Sequence, residues 1–113
     1  LIEFDILKKY RRLGLLPIYT SITWSIKDNI IYTAEYDILY GITRKVILDY
    51  RKDIVETMYK LETLLEADEV FISGTTKLII PVVQINDTII GDGKPGKQTM
   101  QLRKEISDWI NLT

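Results

Sequence analysis

The chain has 113 residues with a formal net charge of -1, 46% hydrophobic residues and 27% charged residues, values typical of a single globular domain. It contains no cysteine and no histidine, which excludes disulfides, thiolate catalysis and a histidine base or metal ligand within these residues. The near-neutral charge and the lack of an apolar run of about 20 residues predict neither nucleic acid nor membrane as partner, and we expect a cytoplasmic location.

The N-terminal residues predict an amphipathic helix. Residues 2–13 place apolar side chains at helical spacing and end at Gly14, a common helix stop. The last turn is basic, which suits the helix dipole on a solvated face, although a phosphate or nucleic-acid patch is the alternative. The residues concerned are Lys8, Lys9, Arg11 and Arg12.

A β-hairpin is predicted next. Residues 19–26 alternate loosely between apolar and polar, and Lys27-Asp28-Asn29 has the composition of a tight turn. A second strand follows at Ile30–Thr33. Trp24 lies in the first strand, where we expect it to pack in the core or at an edge and not to serve as a ligand platform.

A glycine-led turn then opens into a helix. The turn is Gly41-Ile42-Thr43-Arg44, and the predicted helix is Lys45–Lys52. Free backbone N–H groups and a positive dipole end at such a junction can hold an anion such as phosphate. The alternative is a simple turn in which Thr43 caps the helix. The predicted inner face of the helix consists of Val46, Ile47 and Tyr50.

The middle of the chain predicts three strands and a short helix. The pattern predicts a strand over Ile54–Tyr59 and a helix over Leu61–Ala67. Two apolar runs of strand type, Val70–Ser73 and Leu78–Ile85, then flank the small-residue turn Gly74-Thr75-Thr76. The mixture of strands and helices predicts a small domain of mixed α and β structure.

The C-terminal part predicts a loop and a helix. The loop, Gly91–Gly96, is too rich in glycine and proline for regular structure. The helix is predicted over Lys97–Leu112, with a periodic apolar face. Its predicted inward residues are Met100, Ile106, Trp109 and Ile110.

Acidic residues near the turns leave one chemical alternative open. Asp68 with Glu69, or Asp87 with Asp92, could serve a carboxylate-based hydrolase or a metal site built from oxygen ligands alone. Acids in such positions are more commonly solvent-facing caps of turns and helices.

Three blocks of the chain resemble the class IV aminotransferases, the pyridoxal phosphate enzymes that include branched-chain and D-amino acid aminotransferases. The blocks are Tyr36–Leu48, Leu64–Asn86 and Thr88–Leu102, in the family's order. The resemblance implies that residues 1–113 form one α+β domain, with a mixed sheet and flanking helices, as an incomplete version of the family's barrel-like C-terminal domain. Residues 36–102 match clearly, and residues 1–25 diverge.

The resemblance also implies a site for the phosphate of pyridoxal 5′-phosphate. In the family, two turns form a cup in which backbone amides and a threonine hydroxyl bind the phosphate, glycines allow its close approach, and one further amide contacts the substrate carboxylate. Carried over to this chain, the amides are those of Ile42 and Thr43, the hydroxyl is that of Thr75, the glycines are Gly41 and Gly74, and the substrate-binding residue is Thr76.

Two catalytic features of the family have no counterpart in the sequence. The lysine that forms the Schiff base would lie before Leu1, and Lys8 and Lys9 stand in the wrong context. The acid that holds the pyridine nitrogen protonated would lie near Pro17, where no acid occurs. We therefore expect the isolated chain to be inactive.

Two functions follow from the resemblance. In the first, the chain is the C-terminal, cofactor-phosphate-binding portion of an aminotransferase that exchanges an amino group between an amino acid and a 2-oxo acid. In the second, it is a non-catalytic binding or assembly module that self-associates or docks onto a full-length relative. Either function implies association, as a homodimer, with an N-terminal domain or with a homologous chain.

Overall fold

The computed structural model describes residues 23–34, 42–57, 61–74, 78–85 and 87–111. The strands in these ranges are β1 (Thr23–Lys27), β2 (Ile30–Ala34), β3 (Val55–Thr57), β4 (Glu69–Ser73), β5 (Ile79–Val82), β6 (Gln84–Ile85) and β7 (Thr88–Ile89). The helices are α1 (Ile42–Tyr50), α2 (Leu61–Leu65) and α3 (Lys97–Asn111). None of these helices combines the length and the apolar character needed to cross a bilayer. The helix predicted over residues 2–13 lies outside the described residues.

Five strands form one mixed sheet in the order β3-β2-β1-β4-β5. All neighbours are antiparallel except β2 and β3, which are parallel and connected through α1. The remaining strands, β6 and β7, form a separate antiparallel pair. In the described part of the chain the sheet stays open, with β3 and β5 at its edges. This open mixed sheet with flanking helices confirms the predicted α+β class.

The β1–β2 hairpin turns at the residues that the sequence indicates. Asp28 and Asn29 adopt positive φ angles of 51° and 67°, which aspartate and asparagine tolerate better than other non-glycine residues. The turn is held from outside, because the Asp28 amide donates to Asp68 Oδ2 at 3.0 Å. In turn, the Asp68 amide donates to the Ile26 carbonyl at 2.8 Å. The hairpin is thereby tied to the start of β4.

The two faces of the sheet are both covered. Helices α1 and α3 cover one face, over a cluster of Trp24, Ile26, Ile31, Ile47, Phe71, Ile79, Leu102 and Ile106. The other face packs against α2 and the β6–β7 pair through Leu64, Ala67, Val70, Ile72, Val82, Ile85 and Ile90. Strand β4 contributes to both clusters because successive strand residues point to opposite faces. This explains its unbroken apolar run.

Several element boundaries differ from the predictions. The predicted single strand Leu78–Ile85 breaks at Val83, whose carbonyl accepts a hydrogen bond from the Ile90 amide at 3.0 Å. The β6–β7 pair that results was not predicted. Helix α1 begins at Ile42, three residues before its predicted start at Lys45. The other predicted elements overlap the observed ones within the described residues, and residues 19–22, 58–59 and 112 of the predicted elements lie outside the described residues.

Helix α3 presents a different face to the core from the predicted one. Its buried residues are Thr99, Leu102 and Ile106, whereas Met100 is 38% and Ile110 is 37% exposed. The prediction was therefore right for Ile106 and wrong for Met100 and Ile110. A helix with apolar residues on several sides does not specify which stripe faces the sheet, and here contacts at its N-terminus decide.

Those contacts come from Glu69 at the start of β4. Its carboxylate accepts hydrogen bonds from the amides of Gln98, at 3.2 Å, and Thr99, at 2.8 Å. At the other end of α3, the half-buried Trp109 packs against Tyr50 of α1, with ring centroids 5.3 Å apart. Helix α3 is thus fixed to the sheet at one end and to α1 at the other.

Candidate cofactor-phosphate site

Two turns that are far apart in sequence meet at one end of the sheet. Thr43 is the second residue of α1, and its hydroxyl donates a 3.1 Å hydrogen bond to the carbonyl of Gly74. Gly74 directly follows the last residue of β4. Of the six predicted site residues, Ile42, Thr43 and Gly74 are described, and Gly41, Thr75 and Thr76 lie outside the described residues.

The N-terminus of α1 carries the backbone donors. Because the helix begins at Ile42, the amides of Ile42 and Thr43 belong to the first turn, where no carbonyl of the same helix can accept from them. Thr43 does not serve as the N-cap, since it lies inside the helix and its hydroxyl donates to Gly74. The positive end of the dipole therefore lies beside Gly74.

The turn after β4 is closed by its own backbone. The Gly74 amide donates to the Leu78 carbonyl at 3.0 Å. A Cβ added at Gly74 would meet, within 4 Å, only the Ile80 Cδ1 atom, at 3.9 Å, among the described residues. Leu78 has a φ of 35°, a strained conformation of the kind that concentrates at functional sites. The space at Gly74 is one that a side chain would partly fill.

A buried hydrogen bond fixes the end of β4 just before this turn. The indole Nε1 of Trp24 donates to Ser73 Oγ at 3.0 Å, and the Trp24 ring stacks on Phe71 with a centroid separation of 5.6 Å. Trp24 is fully buried, which confirms its predicted packing role. The contribution of Ser73 was not predicted, because nothing in the sequence pairs it with a tryptophan 49 residues away.

Arg44 lies in the same first turn of α1 and is 7% exposed. Its Nη2 donates to the carbonyl of Ala34, the last residue of β2, at 2.7 Å. The same nitrogen lies 3.7 Å from Glu56 Oε1 on β3. Sequence reasoning included Arg44 in the turn but gave it no role, because a surface arginine would look the same in sequence.

Three of the acidic residues near the turns accept hydrogen bonds from backbone amides. Asp68 holds the hairpin turn, Glu69 caps α3, and Asp92 Oδ1 accepts from the Lys94 amide at 3.0 Å. The Asp28 amide, followed by the charge of Lys27, lowers the pKa of the Asp68 carboxyl from its usual value. Among the described residues there is no group of three or more acids arranged to hold a metal ion.

The glycine-rich loop before α3 has a packing role. A Cβ on Gly96 would overlap the Glu69 carboxylate, and a Cβ on Gly91 would lie 2.8 Å from the Asp68 carbonyl oxygen. Gly91 also has a φ of 59°, which favours glycine. These glycines let the loop pass close to the start of β4.

The family model of amino-transferase class IV matches residues 19–85. A D-alanine aminotransferase of Listeria monocytogenes is 45% identical to this chain over 91 residues, which are 75% of this chain and 32% of that enzyme. A D-alanine aminotransferase of Staphylococcus haemolyticus is 40% identical over 97 residues, which are 80% of this chain and 34% of that enzyme. The chain thus spans about a third of the length of the curated relatives that it matches.

The fold leads to the same group of proteins. A branched-chain amino acid aminotransferase from Escherichia coli superposes with a TM-score of 0.68 at 31% sequence identity, over 74% of this chain and 30% of that one. Another from Thermobaculum terrenum, solved in its PLP-bound holo form, gives a TM-score of 0.69 at 26% identity, over 80% of this chain and 32% of that one. Matched by the family model over more than half of its length, and by solved relatives in fold, this chain belongs to the class IV aminotransferase family.

Proposed function

We propose that this chain is the C-terminal, cofactor-phosphate-binding portion of a pyridoxal phosphate-dependent aminotransferase that exchanges an amino group between an amino acid and a 2-oxo acid. Residues 1–113 would form one domain, with residues 36–102 as the part that matches the family and residues 1–25 as a divergent segment. The observation that carries the proposal is the hydrogen bond from Thr43 to Gly74, because it joins the two turns from which the family builds its phosphate cup.

The donors at this junction suit a phosphate monoester. A phosphate needs several converging N–H groups and a hydroxyl, with no side chain in its way. The first turn of α1 supplies amides that no carbonyl of the same helix accepts from, and among the described residues only Ile80 lies within 4 Å of a Cβ added at Gly74, so a phosphate would fit there. We propose that the phosphate is held by the amides of Ile42 and Thr43 and the hydroxyl of Thr75, beside Gly41 and Gly74, with the Thr76 amide directed to the substrate carboxylate.

Within this site, the Thr43 side chain also has a structural role. Its hydroxyl donates to the Gly74 carbonyl and so connects the first turn of α1 to the turn after β4. The Thr43 amide would bind the phosphate. The bound cofactor itself would supply an electron sink for the amino-group transfer. The residues of this chain hold and orient the cofactor through its phosphate.

We further propose that the chain does not transaminate alone, because none of its lysines stands in the context of the family's Schiff-base lysine. The test pairs the 113-residue chain with separately produced residues of the Listeria monocytogenes D-alanine aminotransferase that precede the matching segment. We expect the chain alone to convert D-alanine and 2-oxoglutarate no faster than free pyridoxal phosphate does. The mixture of the chain and the separately produced residues should catalyse this transamination. Turnover by the chain alone would contradict the proposal.

Phosphate recognition is tested with ligands that lack the aldehyde group of pyridoxal 5′-phosphate, because that group would react with surface lysines. Titration calorimetry would compare 4′-deoxypyridoxine 5′-phosphate with 4′-deoxypyridoxine, which lacks the phosphate. We expect the phosphate ester to bind at least about tenfold more tightly, since charge-assisted hydrogen bonds are the stronger ones. Thr43→Val should weaken ester binding about tenfold, and Thr43→Ser, which keeps the hydroxyl, should stay within about threefold. Equal affinity for the two ligands would refute a phosphate site.

An alternative function is a non-catalytic assembly module. Two features favour this alternative. The described part of the sheet has edge strands at β3 and β5, and three apolar side chains are exposed, those of Ile30, Val55 and Ile89. Sheet edges and exposed apolar residues both promote association. Sedimentation equilibrium tests this alternative. A module predicts a dimer, or a complex with a full-length relative, that forms without any cofactor ligand and persists in Thr43→Val. A monomer under all these conditions would count against the module.

A further inference from the structure

The guanidinium of Arg44 occupies an electrostatically unfavourable position. Its side chain is 8% exposed, and removing a cation from water is costly unless partners replace the water. Moreover, Arg44 lies in the first turn of α1, at the positive end of the helix dipole, where anions and not cations are stabilised. Two positive features therefore coincide at the end of α1 that faces Gly74.

The partners of Arg44 compensate for this charge only in part. The 2.7 Å hydrogen bond goes to the neutral carbonyl of Ala34. The nearest described carboxylate, that of Glu56, lies 3.7 Å from Nη2, beyond hydrogen-bond distance, and its side chain is 45% exposed. The Nε atom is buried and has no hydrogen-bond partner among the described residues. Among the described protein groups, the Arg44 guanidinium thus has one neutral acceptor and one carboxylate that lies beyond hydrogen-bond distance.

We propose that Arg44 is an electrostatic determinant of phosphate affinity at the cup formed by α1 and Gly74, and that Glu56 moderates this effect. The inference rests on the proposed phosphate site and adds to it a residue that acts on the bound dianion through its charge. A buried charge acts over several ångströms with little screening. Glu56, being half-exposed and of opposite sign, lowers the positive potential.

A purely structural role for Arg44 makes a different prediction. In that role, the hydrogen bond to Ala34 anchors α1 to β2, and Glu56 orients the guanidinium. Removal of the Glu56 charge would then loosen the anchor and leave phosphate binding unchanged or weaker. In the electrostatic role, the same change strengthens binding. The sign of the Glu56→Gln effect therefore separates the two roles.

The experiment measures the affinity of the 113-residue chain for inorganic phosphate by titration calorimetry at low and at raised NaCl concentration. We expect Arg44→Met to weaken binding about tenfold, and Arg44→Lys, which keeps the charge, to stay within about threefold of the parent. Glu56→Gln should tighten binding about threefold. These differences should shrink as NaCl is added, because salt screens charge effects.

Two matched controls carry the same charge changes at exposed places away from the cup. Lys52→Met removes a positive charge beyond the other end of α1, where the side chain is 78% exposed. Glu62→Gln removes a negative charge from α2, on the opposite face of the sheet from α1. Each control should change phosphate affinity by less than about twofold, because exposed, distant charges are screened.

The possible results separate the role of Arg44 from the phosphate site itself. If the parent chain binds phosphate but Arg44→Met matches Lys52→Met, or Glu56→Gln binds no more tightly than Glu62→Gln, the inference is wrong and the proposed phosphate site stands. If the parent chain binds no phosphate, both are wrong. If Arg44→Met fails to fold, as circular dichroism would reveal, the comparison of Glu56→Gln with Glu62→Gln decides.

Discussion

The attachment of α3 to the sheet through Glu69 gives a stability prediction that can be worked out from the contacts. Its carboxylate accepts from the amides of Gln98 at 3.2 Å and Thr99 at 2.8 Å. An N-terminal cap contributes about 1 kcal/mol, and hydrogen bonds to a charged group about 1.5–3 kcal/mol. Because Glu69 is only half-buried, we take the lower part of this range and expect Glu69→Ala to lower the free energy of unfolding by about 2 kcal/mol.

Urea denaturation followed by circular dichroism would measure this change. For a chain of 113 residues, about 2 kcal/mol corresponds to a fall of roughly 8 °C in Tm. Glu69→Gln keeps an uncharged acceptor and should cost about half as much. The control is Glu62→Gln, an exposed acid of α2, which should change the free energy of unfolding by less than about 0.5 kcal/mol.

A double-mutant cycle with Gly96 tests whether the contact itself is responsible. A Cβ at Gly96 would overlap the Glu69 carboxylate, so Gly96→Ala should displace it and cost about 2 kcal/mol in the parent chain. In a Glu69→Ala background, Gly96→Ala should cost less than half of that, because no carboxylate remains to be displaced. Equal costs in both backgrounds would refute this explanation of how α3 is held.

Three further perturbations follow from the described contacts. Trp24→Phe should lower the free energy of unfolding by about 3 kcal/mol, because it opens a cavity and removes the hydrogen bond to the buried Ser73 hydroxyl. The control Trp109→Phe, at a half-buried position, should lower it by about 1 kcal/mol. Thermal denaturation measures both changes. The pKa of Asp68 is lower in the folded chain than in the unfolded chain, where it is about 3.9. The Asp68 charge therefore stabilises the fold fully above the unfolded pKa. This contribution is lost as the pH falls through the folded pKa. Asp68→Asn should therefore destabilise the chain at neutral pH and have little effect below both pKa values; a constant difference across pH would contradict this. Gly74→Ala should change the free energy of unfolding by less than about 0.5 kcal/mol but weaken binding of a phosphate ester about tenfold. Gly91 has a positive φ, and a Cβ added there would lie 2.8 Å from a backbone oxygen. Gly91→Ala should therefore lower the free energy of unfolding by at least about 1 kcal/mol.

The sequence predicted those parts of the fold that local chemistry determines. The turn at Asp28 and Asn29 was predictable because these residues tolerate positive φ, and β4 because its apolar run is short and bounded by polar residues. The break at Val83 was not predictable, because it depends on a hydrogen bond from Ile90. Likewise, the inward face of α3 is set by Glu69, which lies 29 residues from Gln98.

The candidate site divides in a similar way. Resemblance to the family singled out Thr43 and Gly74, and the structure brings them within hydrogen-bond distance. The burial of Arg44 could not be predicted, because it depends on the parallel pairing of β2 with β3, which brings Glu56 opposite Thr33. Contacts that depend on sheet register are not visible in a single sequence, whereas turn residues with a specific backbone task are.

A phosphate site built from both turns can be tested with the backbone amide spectrum of the isotope-labelled chain during titration with 4′-deoxypyridoxine 5′-phosphate. We expect the amides of residues 41–44 and 74–76 to shift together and saturate with one affinity, because both turns would bind the same phosphate. We also expect Thr43→Val to remove the concerted response. Shifts confined to one of the two turns, or spread over exposed lysines elsewhere, would contradict a phosphate cup built from both.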